Sequence, residues 1–179
     1  IILYLTSDNG IEYSFRASIF QVVSIMTTTG FVTADYLLWA PILGMLILIL
    51  MFFGGSAGST GGGVKIVRVV LLFKNSVLEL KRLIHPNAVL PVRMNKLSVD
   101  PQIITNVLAF VSFYLLILIS SLIVLSALGL DMPTSLGAAA SCLGNIGPGI
   151  GAVGPMENYS QIPIFGKWFL SFLMQLLFL

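Results

Sequence analysis

Of the 179 residues, 57% are hydrophobic and only 9% charged, a balance that excludes an ordinary soluble domain and indicates a membrane protein. Nine Lys and Arg against seven Asp and Glu leave a formal charge of +2, which gives no reason to expect a nucleic-acid partner. The single cysteine, Cys142, excludes an intrachain disulfide framework and a Cys-rich metal site.

The chain opens in apolar Ile1 to Leu5, with no basic leader and cleavage site, as though cut from a longer sequence. Ser7 to Arg16 is a polar link carrying Asp8 and Glu12, with Ser14 as the expected N-cap of a short helix. That helix, Ser18 to Met26, would be about 14 Å long, half of a bilayer core. It cannot span. Thr27-Thr28-Thr29-Gly30-Phe31 follows, and then Leu37 to Phe53, an uncharged run at the lower limit of a spanning helix. Gly54 to Gly63 (GGSAGSTGGG) contains six glycines and no large side chain, so it cannot continue that helix. From Val64 to Leu83 helical patterning resumes, with Lys65, Arg68, Lys74, Lys81 and Arg82 among Val, Ile and Leu, a face suited to the membrane boundary. His85-Pro86 and Pro91 interrupt it, and Arg93 and Lys96 extend the basic character. His85 has no second His or Cys ligand near it and reads as a solvated loop residue.

Between Asp100 and Asp131 no residue is charged, which makes this stretch the clearest spanning helix. Asp131 and Pro133 fit the N-cap and first turn of a second short helix, Ser135 to Leu143. It leads into Gly144-Asn145-Ile146-Gly147-Pro148. Trp168 to Leu179 is apolar but stops short of the twenty residues that a span needs.

The two halves repeat. One shift of 117 residues lays Ser18, Ser24 and Gly30 on Ser135, Ser141 and Gly147, and a shift of 122 lays Pro41 to Gly44 on Pro163 to Gly166. Each half therefore reads as a re-entrant helix, a loop and a longer helix. Irregular backbone at membrane depth is tolerated where it lines a water-filled path, and a row of carbonyls there replaces a cation's hydration shell. Taken singly, either loop is equally an ordinary turn after a short helix; the matched repeat favours an ion-selectivity filter. Seven of the nine basic residues fall between Lys65 and Lys96, placing that connection in the cytoplasm. Each unit contributes two spans around one re-entrant loop, so the two units read as parallel repeats.

These motifs resemble one family. TTTGF at Thr27 to Phe31, GGSAGSTGGGVK at Gly54 to Lys65, RLIHPNAV at Arg82 to Val89 and GNIGPG at Gly144 to Gly149 are similar to the Trk/Ktr/HKT superfamily of cation transporters, in its TrkH-like potassium-uptake membrane subunits. The resemblance implies an all-α integral membrane protein with four helix–pore-loop–helix repeats, this chain matching the third and fourth. Residues 1–63 would then hold the end of an outer helix, a pore helix with its filter strand, an inner helix and the glycine-rich loop. Residues 64–100 would be the inner-helix continuation and basic connection, and residues 101–179 the fourth repeat. By similarity the filter carbonyls come from Thr27, Thr28, Thr29 and Gly30, and from Gly144, Asn145, Ile146 and Gly147. K⁺ would be held at Thr28, Thr29, Asn145 and Ile146. The gate would be Gly54, Gly55, Ser56, Ala57, Gly58, Ser59, Thr60, Gly61, Gly62 and Gly63. The family implies K⁺ as the transported ion, no covalent cofactor and no enzymatic activity. It also implies a homodimer in a bacterial plasma membrane, crossed several times, with a nucleotide-binding regulatory subunit of the TrkA or KtrA type on the cytoplasmic face.

Two other functions compete with a pore. A phosphate-binding loop needs Gly-Lys followed by Ser or Thr, whereas Val64 separates Gly63 from Lys65 and Ile66 follows. A secondary carrier with broken helices would bind its substrate at the glycine run, and is distinguished by a fixed coupling ratio. Coupling carboxylates are expected in such a carrier, and the apolar spans contain none.

Overall fold

The structure, a computed structural model, describes residues 2–6, 10–56, 58–59, 61–85, 91–94 and 97–176. Ala57 and Thr60 of the expected gate lie outside the described residues, as do Asp8, Pro86 to Leu90, Lys96 and the last three residues of the apolar C-terminal segment.

The chain is an all-α membrane protein of seven helices among the described residues. They are α1 (Ile2–Thr6), α2 (Ile11–Met26), α3 (Pro41–Phe52), α4 (Ile66–Ile84), α5 (Pro101–Ala127), α6 (Met132–Gly144) and α7 (Ile164–Leu176). Two pairs of two-residue strands interrupt them. β1 (Phe53–Gly54) and β2 (Val64–Lys65) run parallel, in the register Phe53 to Val64 and Gly54 to Lys65. β3 (Arg93–Met94) and β4 (Leu97–Ser98) form an antiparallel pair in the basic connection.

The first short helix is longer than its sequence suggests. α2 begins at Ile11 with Gly10 as N-cap and runs for 16 residues, so Ser14 is not a cap but a buried residue inside the helix. The polar link continues helically because Glu12 stands in the first turn, favoured by the helix dipole, and pairs with Arg16 one turn later at 3.7 Å. α3 corrects the expectation in the other direction. It has 12 residues, about 18 Å by helical rise, because Tyr36 to Leu38 form a separate tight turn and Pro41 restarts the helix. Among the described residues only α5 is long and apolar enough to cross a membrane alone.

α5 and α6 begin where the sequence places them. Asp100 accepts from Gln102 N at 2.9 Å, and Asp131 accepts from Thr134 N at 3.4 Å. Each cap takes one amide that a helix start leaves unpaired. Thr134 also holds the Asp131 carboxyl below the usual carboxylate range.

α6 is the hub. It packs on α3, α5 and α7, and ten of its 13 residues are buried, Ala138, Ala139 and Ala140 completely. Small side chains explain this: Ala, Gly and Ser let three larger helices approach one short axis. Leu118 and Leu125 of α5, Leu143 of α6, and Leu170 and Leu173 of α7 form the largest core. Ile25, Tyr36, Ile47, Met51, Ala140 and Ile146 form a second, which ties the first half of the chain to the second. α2 is far less enclosed, with Phe15, Ile19, Phe20 and Val23 exposed along one side.

Candidate ion-conducting site

The strand after α2 takes its shape from the helix end. Thr27 N donates to Val23 O at 2.9 Å, Thr28 N to Ile25 O at 3.1 Å and Thr29 N to Ser24 O at 2.8 Å. Thr28 is left-handed at φ 55°, an uncommon state for a residue with a side chain. Gly30 follows at φ 75°. Ser24 Oγ then donates to Phe31 O at 2.7 Å, drawing the far end of the strand back onto the helix. Gln21, buried deeper in α2, donates to Ala34 O at 3.2 Å.

The strand after α6 repeats that construction with different side chains. Asn145 N donates to Cys142 O at 3.2 Å and Ile146 N to Ser141 O at 3.0 Å. Asn145 is left-handed at φ 54°, and Gly147 has φ 112°. Ser141 Oγ donates to Gly147 O at 2.7 Å and accepts from Gly147 N at 3.0 Å. So the shift of 117 residues that aligns the serines and glycines also aligns the two left-handed residues, Thr28 and Asn145.

The two strands meet. A Cβ on Gly30 would overlap the Ile146 carbonyl oxygen, so the absence of a side chain there is what lets the strands approach. Among the described residues, no donor engages the carbonyl oxygens of Thr28, Thr29, Asn145 or Ile146. α2 and α6 bring the partly negative ends of their dipoles to the same place. Free carbonyls and helix C-termini together favour a cation.

Behind the second strand stand two tyrosines that sequence reasoning did not single out. Tyr36, fully buried, donates to Gly149 O at 2.6 Å and so links the first half of the chain to the exit of the second strand. Tyr159 donates to Gly147 O at 2.7 Å. The Gly147 carbonyl therefore has two protein donors, Ser141 and Tyr159, unlike the four carbonyls above. Neither tyrosine belongs to a repeated motif, so no sequence signal marks it.

The glycine-rich run lies against both strands. A Cβ on Gly61 would stand 3.3 Å from Thr28 Oγ1, and one on Gly62 would overlap the Gly144 carbonyl. The loop's ends are closed by the β1–β2 pair, while Gly63 at φ 74° makes the turn into β2. Lys65, expected on a basic helical face, instead stands at the N-cap position of α4 without a side-chain cap bond and reaches back to the loop. Its ammonium donates to Ser59 O at 2.6 Å, to Ser59 Oγ at 3.2 Å and to Gly61 O. Of the other basic residues of α4, Arg68 covers the Phe110 ring of α5 at 3.8 Å, and Lys74 donates to Arg93 O of the connection at 3.1 Å.

Comparison with known proteins gives one family. Residues 7–176 match the TrkH model, described as a cation transport protein. The Trk system potassium uptake protein TrkH of Halomonas elongata is 39% identical over 168 residues, covering 94% of this chain and 34% of that protein. The protein of the same name from Escherichia coli is 40% identical over 157 residues, covering 88% of this chain and 32% of that one. The crystal structure of the potassium transporter TrkH from Vibrio parahaemolyticus superposes with a TM-score of 0.89 at 36% identity, covering 99% of this chain and 38% of that one. The chain thus spans about a third of the length of the relatives it matches.

Proposed function

We propose, for a chain that belongs to the TrkH family of cation transport proteins, that it supplies two strands of the selectivity filter and the intramembrane gate of a K⁺ uptake pathway. The whole protein would cross a bacterial plasma membrane several times. The observation that carries this reading is the pair of matched strands, left-handed at Thr28 and Asn145 and brought together at Gly30 and Ile146.

In this reading a dehydrated K⁺ passes the carbonyls of Thr28, Thr29, Asn145 and Ile146, which stand in for its water shell. Thr27, Gly30, Gly144 and Gly147 frame them. The remaining carbonyls of each coordination ring come from parts of the full protein beyond this chain. The exposed apolar face of α2 at Phe15, Ile19, Phe20 and Val23 is where those parts close the pathway. Pairing of two whole proteins and docking of a nucleotide-binding regulatory subunit on the basic connection complete the proposed assembly.

The glycine-rich loop is the gate. Its contacts at Thr28 and Gly144 support a position across the pathway beneath the filter. Small side chains let it withdraw with little steric resistance. Deleting several residues within Ser56 to Gly62 of the full-length protein in liposomes should raise K⁺ flux and leave the K⁺ to Na⁺ ratio near wild type. Unchanged flux in a folded deletion would remove the gate. A collapsed ratio would instead assign the loop to the filter.

A further inference from the structure

We propose that Lys65 is a tethered cation that sets the position of the glycine-rich loop, its ammonium seated in a carbonyl cradle that the loop itself provides. The proposal rests on the reading of that loop as the gate.

Lys65 is in a locally unfavourable place. It is the N-cap of α4, a position that prefers Ser, Thr, Asp or Asn, and a positive charge at a helix N-terminus opposes the dipole. Other contacts must compensate. The ammonium has three donor protons, and three loop acceptors take them: Ser59 O, Ser59 Oγ and Gly61 O. None of these acceptors carries a charge. Neutral oxygens around a half-buried positive group are what a cation site offers, and here the cation is attached to the chain.

The placement matters because of what the held residues touch. Gly61, whose carbonyl the ammonium holds, sits under the Thr28 side chain, and Gly62 presses on the backbone of Gly144. One side chain thereby fixes the loop against the ends of both strands. The β1–β2 pair and the bond from Ile66 N to Gly55 O hold the loop at its ends, and Gly61 and Gly62 only pack on the strands. Among the described residues, the Lys65 ammonium is the group from outside the loop that hydrogen-bonds its middle. Lys65 is therefore a positioning residue. Removing its charge while keeping most of its length should free the loop to withdraw more often, and the identity of the passing ion should not change.

The test uses full-length protein in liposomes. Lys65→Met should raise K⁺ flux roughly tenfold, as expected for the loss of charge-assisted hydrogen bonds, with the K⁺ to Na⁺ ratio unchanged. The same substitution added to the deletion within Ser56 to Gly62 should produce no further rise. In Lys65→Ala, propylammonium on the loop side should return flux toward wild type by refilling the cradle, a response that a purely structural role does not give. Wild-type flux in Lys65→Met, beside raised flux in the deletion, would overturn the tether and leave the gate standing. Wild-type flux in both would overturn the gate as well. Should Lys65→Met fail to fold, Lys65→Arg keeps the charge on a planar fork that fits the three acceptors poorly. Its flux should then fall between wild type and the deletion, and wild-type flux would reject the tether. As an independent readout, the thiol introduced by Gly58→Cys, at a position with open space around it, should react faster with a soluble reagent when combined with Lys65→Arg or Lys65→Met. Equal rates would count against the proposal.

Discussion

Gly30 and Gly147 occupy equivalent places in the two strands, yet replacing each with Ala should not have equal effects. At Gly30 two penalties combine. The backbone is at φ 75°, where a side chain costs about 1–2 kcal/mol, and the new methyl group would overlap the Ile146 carbonyl. Relieving such overpacking typically costs a further ~1–3 kcal/mol. At Gly147, with φ 112°, nothing lies within 4 Å of the Cβ position, so only the torsional penalty of about 1–3 kcal/mol remains. The overlap at Gly30 falls on a carbonyl that we assign to ion coordination, so the strain is relieved by moving that carbonyl. Because about 1.4 kcal/mol corresponds to a factor of ten, Gly30→Ala should lower the K⁺ to Na⁺ flux ratio by roughly tenfold or more. Gly147→Ala should lower it less. Tracer uptake of each ion into liposomes holding the full-length protein measures both ratios. A larger loss at Gly147 than at Gly30, or an unchanged ratio in Gly30→Ala, would refute the reasoning.

Tyr36→Phe should destabilise the protein by about 1–3 kcal/mol, since it leaves the Gly149 carbonyl without its buried donor. Thermal unfolding in detergent measures this, and an unchanged midpoint would mean that the bond contributes nothing. The exposed end of α4 should face the cytoplasm. Leu83→Cys, in a background with Cys142→Ala, should react with an impermeant thiol reagent from the inside only, and labelling of intact cells from outside would invert the topology.

The parts of the fold set by local chemistry were legible in the sequence. Asp100 and Asp131 start α5 and α6 because an aspartate before an apolar run satisfies helix amides wherever the run is packed. The break at Gly54 was legible for the same reason, as six glycines cannot hold a helix. Ser14 misled because Ser caps some helices but is accepted inside others, and the choice was made by Gly10 and Glu12 upstream. Lys65 misled more deeply. Its spacing from Arg68 fits a basic helical face, and only the return of the loop shows that its carbonyl partners lie four and six residues back. Tyr36 to Gly149 spans 113 residues, and no periodicity within either repeat encodes such a pair.

What the two strands share is instructive about where their shape is written. Thr27-Thr28-Thr29 and Gly144-Asn145-Ile146 have no residue in common, yet the matching amide bonds agree within about 0.2 Å by subtraction, 3.1 against 3.2 Å and 2.8 against 3.0 Å. The common residues are the serine six positions before each glycine and the glycine itself. Ser24 and Ser141 each receive an amide on their carbonyl and send a hydroxyl to the far end of the strand, closing it into a short arc. The middle residues then need only tolerate a left-handed turn, which Asn does readily and which Thr28 accepts under that constraint. Symmetry ends at the glycine. Ser24 takes Phe31 O, whereas Ser141 takes Gly147 O and Tyr159 takes it as well, so the second strand commits to the protein a carbonyl that the first leaves free at Gly30. Thr28 with Asn145, and Thr29 with Ile146, are levels at which both repeats leave the backbone oxygen without a protein donor among the described residues. In the proposed filter, those would be the levels at which strands of the same design complete a symmetric cation shell.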